Sequence, residues 1–160
     1  MNEEKFMKEA LKEARKAFYK EEIPVGAIIV KEGSIIARAH NVKEGKGDAT
    51  AHAEILAIKK ACKKLNSWRL LNCDMYVTLE PCAMCAGALI NSRIRKIYIG
   101  TMDEKTGACG SVLNLLENYN FNHKIEVQKY VLKEECESIL KEFFKILRKR
   151  NKKRRENEGK

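Results

Sequence analysis

The sequence has no long apolar run, and this absence limits the kind of protein it encodes. None of its 160 residues lies in a stretch approaching the roughly 20 apolar residues that a membrane-spanning helix needs. The N-terminal segment 1–8 is charged and lacks the apolar stretch of a signal peptide. Internal repeats are absent too. We therefore expect a cytoplasmic protein with a single domain over residues 1–150 and a basic, disordered tail over residues 151–160.

Proline and histidine are scarce, whereas cysteine is not. The chain has two prolines, three histidines and six cysteines, so few residues are candidates for imidazole ligands and several are candidates for thiolate ligands. Thiols stay reduced in the cytosol, and cysteines there are core thiols or metal ligands, not disulfides. The residues that match no ligand spacing are expected to be structural, most of the cysteines as buried thiols; they are Cys62, Cys73, Cys109, Cys136, His40 and His123.

Positive charge is concentrated at the C-terminal end of the chain. The formal net charge is +10, and residues 145–160 hold nine Lys or Arg against two Glu, which places +7 there and leaves +3 elsewhere. A basic segment of this kind attracts polyanions, because each neutralised phosphate releases condensed counterions. The segment therefore predicts RNA or DNA as a partner. A solvated tail that only aids solubility would have the same composition.

Hydrophobic periodicity predicts alternating helices and strands. Helical spacing or β-rich runs are found over 2–19 (helix), 25–30 and 34–39 (a hairpin), 52–65 (helix), 75–79 (strand), 81–90 (helix), 96–99 (strand), 112–116 (short helix), 125–131 (strand) and 133–149 (helix). The connector 101–123 is long enough for a parallel crossover. The sum is an α/β protein, with a mixed sheet covered by helices on both faces.

Two short motifs in the middle of the chain carry ligands for one metal ion. His52 begins one predicted helix, and the sequence Pro81-Cys82-Ala83-Met84-Cys85 begins the next. Cysteines three positions apart share a helix face, and the positive end of the helix dipole favours thiolates. His52, Cys82 and Cys85 give three ligands and leave the fourth position for water, as in catalytic zinc sites. A bare Cys-x-x-Cys is more often a structural zinc site or a redox pair.

The complete pattern, His-x-Glu followed by Pro-Cys-x-x-Cys, resembles the signature of zinc nucleobase deaminases. In such enzymes the carboxylate that Glu54 matches moves protons to the ring nitrogen and to the leaving ammonia, which gives Glu54 a catalytic role. Two observations argue against a catalytic role for Glu54. A first-turn glutamate also favours the helix dipole without any chemistry. In an ideal helix, moreover, His52 and Glu54 would project about 200° apart.

A wider resemblance joins the chain to the bacterial tRNA-specific adenosine deaminases over about residues 3–150. It rests on these segments: 23–27 (IPVGA), Asn41, 48–54 (DATAHAE), 78–88 (TLEPCAMCAGA), 92–94 (SRI), 105–107 (KTG) with 110–111 (GS), and 142–144 (EFF). The resemblance implies a cytidine-deaminase-like, three-layer α/β/α fold with a five-stranded sheet, a homodimer, and one Zn²⁺ per subunit. It also implies hydrolytic conversion of adenosine to inosine at the wobble position of an arginine tRNA.

The same resemblance implies a set of substrate contacts. Asn41 is expected to hydrogen-bond the flipped base, although a turn residue at the end of a strand would look the same. Loop 103–111 resembles the RNA-facing loop of the family, but its glycines would also suit a plain turn. The remaining expected substrate contacts are Val25, Ala53, Asp103, Lys105 and Phe144.

Two other functions are compatible with the metal motif. A deaminase of a free base or nucleoside, such as guanine, cytosine or cytidine, would share it, but the loop 103–111 and the basic tail argue for RNA. A non-catalytic zinc module that only binds RNA would share the ligands. Glu54 argues against that module, because a structural site has no use for an adjacent carboxylate that is not a ligand.

Overall fold

Helices and strands alternate along the chain in the computed structural model, which describes residues 2–117 and 119–159. The elements are α1 (Asn2–Tyr19), β1 (Gly26–Lys31), β2 (Ser34–His40), α2 (Lys43–Lys46), α3 (Ala53–Leu65), β3 (Cys73–Leu79), α4 (Ala83–Asn91), β4 (Lys96–Thr101), β5 (Glu126–Gln128) and α5 (Lys133–Glu158). Met1, Asn118 and Lys160, which belong to the predicted domain and tail, lie outside the described residues. Within the described part of the chain, no helix is both long and apolar enough to cross a membrane.

The strands form one mixed sheet in the order β2-β1-β3-β4-β5. Strands β1 and β2 are the predicted hairpin, and its turn uses positive φ angles at Glu32 and Gly33, as a two-residue turn between twisted strands requires. Strand β1 also pairs antiparallel with β3, whereas β3, β4 and β5 are mutually parallel neighbours. The predicted five-stranded mixed sheet is confirmed, and so is the parallel crossover into β5.

Alternate residues of the central strands feed two separate apolar cores. Ile29 and Met75 belong to the core that contains residues of α3 and α4. Ile28 and Tyr76 point to the opposite face, into the core formed with α1 and α5. Successive side chains of a strand point to opposite faces, so a sheet covered on both sides is apolar at nearly every position. The three-layer α/β/α arrangement is confirmed.

One edge of the sheet collects the segments that the sequence singles out. The carboxyl ends of β2, β3 and β4 and the amino end of β1 all lie at this edge, because β1 runs against the other three. Val25 precedes β1, Asn41 follows β2, Glu80 follows β3 and Asp103 lies just beyond β4. Ligands of open α/β sheets bind beyond the carboxyl ends of the parallel strands. The chain order thus brings distant motifs to one place.

Two predicted elements differ in the structure. Residues 111–117 form turns and an isolated bridge between Cys109 and Asn114, not the short helix predicted over 112–116. The amide of Val112 donates to the carbonyl of Gly107, and that of Leu115 to the carbonyl of Ala108, so these hydrogen bonds fold the segment back onto loop 103–111. Strand β5 ends at Gln128, because Tyr130 adopts a left-handed conformation.

The last helix is longer than the sequence predicts. We expect it to end near residue 149, before a disordered tail, yet α5 continues to Glu158. Its residues include no glycine or proline, and Arg, Lys and Glu are good helix formers. The cations of its last turns also lie at the negative end of the helix dipole. The domain boundary at residue 150 stays a prediction.

Candidate metal centre and flanking loops

Three side chains converge in a geometry that fits one zinc ion. The ligand atoms of His52, Cys82 and Cys85 all lie within 4.8 Å of one another. His52 Nδ1 is 3.7 Å from the Sγ of Cys82 and 3.6 Å from the Sγ of Cys85. Tetrahedral zinc, with its usual Zn–S and Zn–N bond lengths, holds nitrogen and sulfur ligands about 3.6 Å apart. The residues present therefore match the donor types and the spacing of a three-ligand zinc site.

The ligands are held at the starts of two helices. His52 is the N-cap of α3 and Cys82 is the N-cap of α4, both in extended conformations and neither with a side-chain capping bond. The helices begin one and two residues later than we predict, since Ala53 and Ala83 are their first residues. Both positive helix ends thus face the ligand cluster, where they stabilise negative charge on sulfur.

Contacts within the cluster shift the pKa values of the three candidate ligands in different directions. Hydrogen bonds with the Cys85 thiol and with His52 lower the pKa of Cys82 to about 4, against the effect of burial. The hydrogen bond to Cys82 and burial raise the pKa of Cys85. The hydrogen bond with Cys82 likewise raises the pKa of His52. A low-pKa thiolate next to an imidazole is a donor set suited to a divalent soft or borderline cation.

Glu54 lies beside the ligands and is only 4% exposed. The ideal-helix argument that separates it from His52 does not apply, because His52 precedes the helix and has an extended backbone. Burial raises the pKa of the Glu54 carboxyl, although the neighbouring His52 and Cys85 act in the opposite direction. A buried carboxyl with a raised pKa, next to a metal-binding cluster, is well suited to transfer protons near neutral pH.

The first flank of the site consists of Val25 and Asn41, and hydrogen bonds join it to Ala53 in the metal motif. The backbone amide of Asn41 donates to the carbonyl of Val25, and the Oδ1 of Asn41 accepts from the backbone amide of Ala53 at 2.8 Å. Asn41 thereby caps the first residue of α3, directly between His52 and Glu54. Val25 and Ala53 are buried. Ala53 is thus the neighbour of His52 in the chain, Asn41 is bonded to Ala53, and Val25 is bonded to Asn41.

Loop 103–111 forms the second flank and is held by a residue that sequence reasoning did not single out. The carboxylate of Glu80, 3% exposed, accepts hydrogen bonds from the amides of Asp103, Cys109 and Ser111 and from the Ser111 hydroxyl. Glu80 directly precedes Pro81 and Cys82, so this loop is attached to the metal-binding turn.

Within the loop, Asp103 serves the local fold. Its carboxylate accepts hydrogen bonds from the amides of Lys105 and Thr106 and from the Thr106 hydroxyl. Lys105 is exposed and lines a surface cavity of about 370 Å³ together with Phe144 and Arg148 of α5. Phe144 is 38% exposed. Lys141 and Glu137 also line it, so the cavity combines an aromatic face with three cations and one carboxylate.

Sequence comparison identifies deaminases as relatives of this chain. The family model described as MafB19-like deaminase matches residues 1–148. A curated protein of Bacillus subtilis (strain 168), named tRNA-specific adenosine deaminase, is 52% identical over 155 residues, which are 97% of this chain and 96% of that protein. The chain belongs to the tRNA-specific adenosine deaminase family.

Solved structures of the deaminase fold superpose on the chain. One comes from studies of A-to-I editing by tRNA:A34 deaminases at the wobble position of transfer RNA; it is 43% identical, with a TM-score of 0.82, and the match covers 84% of this chain and 98% of that one. A guanine deaminase from Bacillus subtilis is 41% identical, with a TM-score of 0.61, over 64% of this chain and 66% of that one. The fold is therefore shared by deaminases of different substrates.

Two buried glutamates hold the segments that flank the site. Family membership alone does not identify them. Glu80 holds loop 103–111, and Glu22 accepts the amides of Glu44 and Gly45 in the segment after Asn41. Neither has a motif spacing of its own. The one sequence signal for Glu80 is its position immediately before Pro81 in the metal motif.

The cysteines and histidines outside the metal motif are buried or make local hydrogen bonds. All six cysteines are free; Cys73, Cys109 and Cys136 are buried, and Cys62 is partly buried. His40 hydrogen-bonds with Glu13, and His123 with the carbonyl of Ile94. Among the described residues, His52, Cys82 and Cys85 form a group of histidine and cysteine side chains that could hold a metal ion.

Proposed function

We propose that this protein is a zinc-dependent enzyme that converts adenosine to inosine at the wobble position of a tRNA anticodon, in an arginine tRNA. The observation that carries the proposal is the three-ligand cluster of His52, Cys82 and Cys85 with the buried Glu54 beside it. A structural zinc site would have a fourth protein ligand and no need of this carboxylate. Membership of the tRNA-specific adenosine deaminase family supports the substrate.

The reaction consumes water and releases ammonia, and Glu54 moves the protons. Zinc held by the three ligands would lower the pKa of a bound water and so supply a nucleophile at neutral pH. Glu54 accepts a proton from the attacking water and delivers it to the purine ring nitrogen, and it then moves the remaining proton of that water to the leaving amine. Burial favours the protonated carboxyl between these steps, which is consistent with the raised pKa.

The flipped adenine is bound by the first flank in this proposal. One lone pair of Asn41 Oδ1 accepts the Ala53 amide, so the Nδ2 group is the donor that we assign to the base. Val25 and Ala53 support this arrangement, because both are buried and hydrogen-bonded to Asn41. A buried amide is a chemically reasonable reader of a purine edge.

The surrounding RNA is bound by the second flank and by α5. Lys105 and Arg148 offer cations to phosphates, Phe144 offers a ring on which an unpaired base stacks, and Asp103 shapes the loop. The described basic side chains after residue 144 are all exposed, which suits contacts along a phosphate backbone. The homodimer implied by the resemblance and the cytoplasmic location expected from the sequence also belong to this proposal, and analytical ultracentrifugation measures the former.

The test is an activity assay on matched substrates. Zinc-loaded protein is incubated with an anticodon stem-loop of an arginine tRNA bearing a wobble adenosine, and in parallel with free adenosine, cytidine and guanine. Mass spectrometry measures base conversion. Inosine in the stem-loop alone supports the proposal, whereas conversion of a free base or nucleoside alone would replace the substrate and keep the chemistry. No conversion of any of them would favour the non-catalytic RNA-binding module.

A further inference from the structure

Glu80 is a buried carboxylate whose side chain makes four hydrogen bonds, all from one loop. Oε1 accepts from the Asp103 amide at 2.9 Å and from the Ser111 hydroxyl. Oε2 accepts from the Cys109 amide at 2.9 Å and from the Ser111 amide at 3.0 Å. Both ends of the loop 103–111 therefore meet at this one group. None of these contacts involves the metal ligands.

The chemistry at this position requires a carboxylate. Four donors point at two oxygens, and an ionised carboxyl is an acceptor at both. A glutamine of the same shape would place an NH₂ group against donors at one end and would leave them unpaired. Gly107 also packs directly on the group, since a Cβ there would lie 2.2 Å from the Glu80 carboxyl carbon. The loop backbone is thus folded closely around the charge.

The loop carries the residue that we propose to face RNA. Lys105 lies between the two ends that Glu80 holds, and the Asp103 carboxylate binds the amides of Lys105 and Thr106. A further hydrogen bond joins the amide of Ala108 to the carbonyl of Pro81, next to the metal ligand Cys82. The position of Lys105 relative to the metal cluster is therefore set through Glu80 and the turn that follows it.

We propose that Glu80 is a positioning residue that fixes loop 103–111 against the metal-binding turn and thereby sets the affinity for the anticodon RNA. This inference rests on the proposed function. It assigns Glu80 no contact with substrate and no proton transfer. Loss of the carboxylate should accordingly weaken RNA binding and leave the chemical step of bound substrate largely intact.

The test compares the zinc-loaded wild type with Glu80→Gln. Hydrogen exchange is expected to accelerate at the amides of Asp103, Cys109 and Ser111. The KM for the anticodon stem-loop and its Kd by fluorescence anisotropy are expected to rise about two- to fivefold, as for loss of the Lys105 phosphate contact, with kcat unchanged. Zinc content, measured by mass spectrometry, is expected to stay unchanged.

Glu22→Gln is the matched control. It removes the charge of the other buried glutamate, whose oxygens accept the amides of Glu44 and Gly45. Faster exchange is then expected in the segment 43–47 and not in loop 103–111. If Glu80→Gln does not fold, Ser111→Ala and Ser111→Thr carry the test. The alanine variant loses one of the four hydrogen bonds, whereas threonine keeps the hydroxyl at an exposed position and should restore wild-type KM.

The outcomes separate this inference from the proposed function. Unchanged KM and loop exchange in Glu80→Gln, while the wild type edits the stem-loop, would overturn the inference alone. A fall in kcat and zinc content at constant KM would also overturn it, because Glu80 would then support the metal ligands. If the wild type binds but does not edit the stem-loop, the proposed function fails, and the change in Kd still decides the inference.

Discussion

The metal cluster and loop 103–111 lie side by side, but different kinds of contact hold them in place. His52 and Cys82 are the first residues before helices, so short-range backbone geometry sets their positions. The loop has no regular secondary structure and is held mainly by one buried carboxylate, Glu80, more than twenty residues away in sequence. The candidate ligands are thus positioned by local motifs, whereas the placement of loop 103–111 depends on tertiary contacts.

The largest expected effect concerns the metal side. Glu54→Ala should keep zinc, because Glu54 is not among the three ligands, and should lower kcat about a thousandfold or more, as expected for loss of proton transfer. Single-turnover editing of the stem-loop and metal analysis of the same sample measure both quantities. Near-normal turnover would show that another group moves the protons and that Glu54 has no catalytic role.

Asn41 is hydrogen-bonded to Ala53 beside the metal cluster, and two variants separate its roles. Asn41→Asp keeps an oxygen for the Ala53 amide but loses the Nδ2 donor, whereas Asn41→Ala loses both. We expect kcat/KM to fall about 10- to 100-fold in both variants, because a base contact is worth about 1–3 kcal/mol. If Asn41→Asp edits like the wild type, Asn41 only supports α3.

A smaller effect is expected from the basic end of α5. Truncation after Leu147 removes eight Lys or Arg residues and two Glu residues. It should weaken stem-loop binding about tenfold at physiological salt and flatten the dependence of Kd on salt. Replacing the four basic residues 152–155 by glutamine is the matched control, since glutamine keeps helix propensity and removes charge. An unchanged salt slope in both variants would remove the helix from the RNA-binding surface.

The smallest effect is expected for Lys105→Ala. One exposed cation in the loop should account for one phosphate contact, so Kd should rise about two- to fivefold and the salt slope should fall by about one. Thr106→Val, which removes the hydroxyl that binds Asp103, tests whether loop shape alone has the same effect. Equal Kd values for Lys105→Ala and the wild type would show that the loop acts through its shape and not through this charge.

Periodicity predicted most of the helices and strands, because their apolar faces are regular. The hairpin, the helix over 2–19 and the parallel strands were all predicted from the sequence. The prediction of a short helix over 112–116 was wrong, since hydrogen bonds from Val112 to Gly107 and from Leu115 to Ala108 fold the segment back onto the loop. The sequence predicts that α5 ends near residue 149, before a disordered tail over 151–160, whereas the helix continues to Glu158 because the charged segment consists mainly of good helix formers.

The sequence alone predicted the three candidate metal ligands, the carboxylate beside them and the family, because His-x-Glu and Pro-Cys-x-x-Cys are local patterns that need little structural context. It did not establish that His52 and Glu54 converge; the extended backbone at His52 decided that. Only the tertiary structure showed that Glu80 and Glu22 hold the two flanking segments. A buried carboxylate is recognised by the donors that surround it, and those donors come together only when the sheet brings distant loops to one edge.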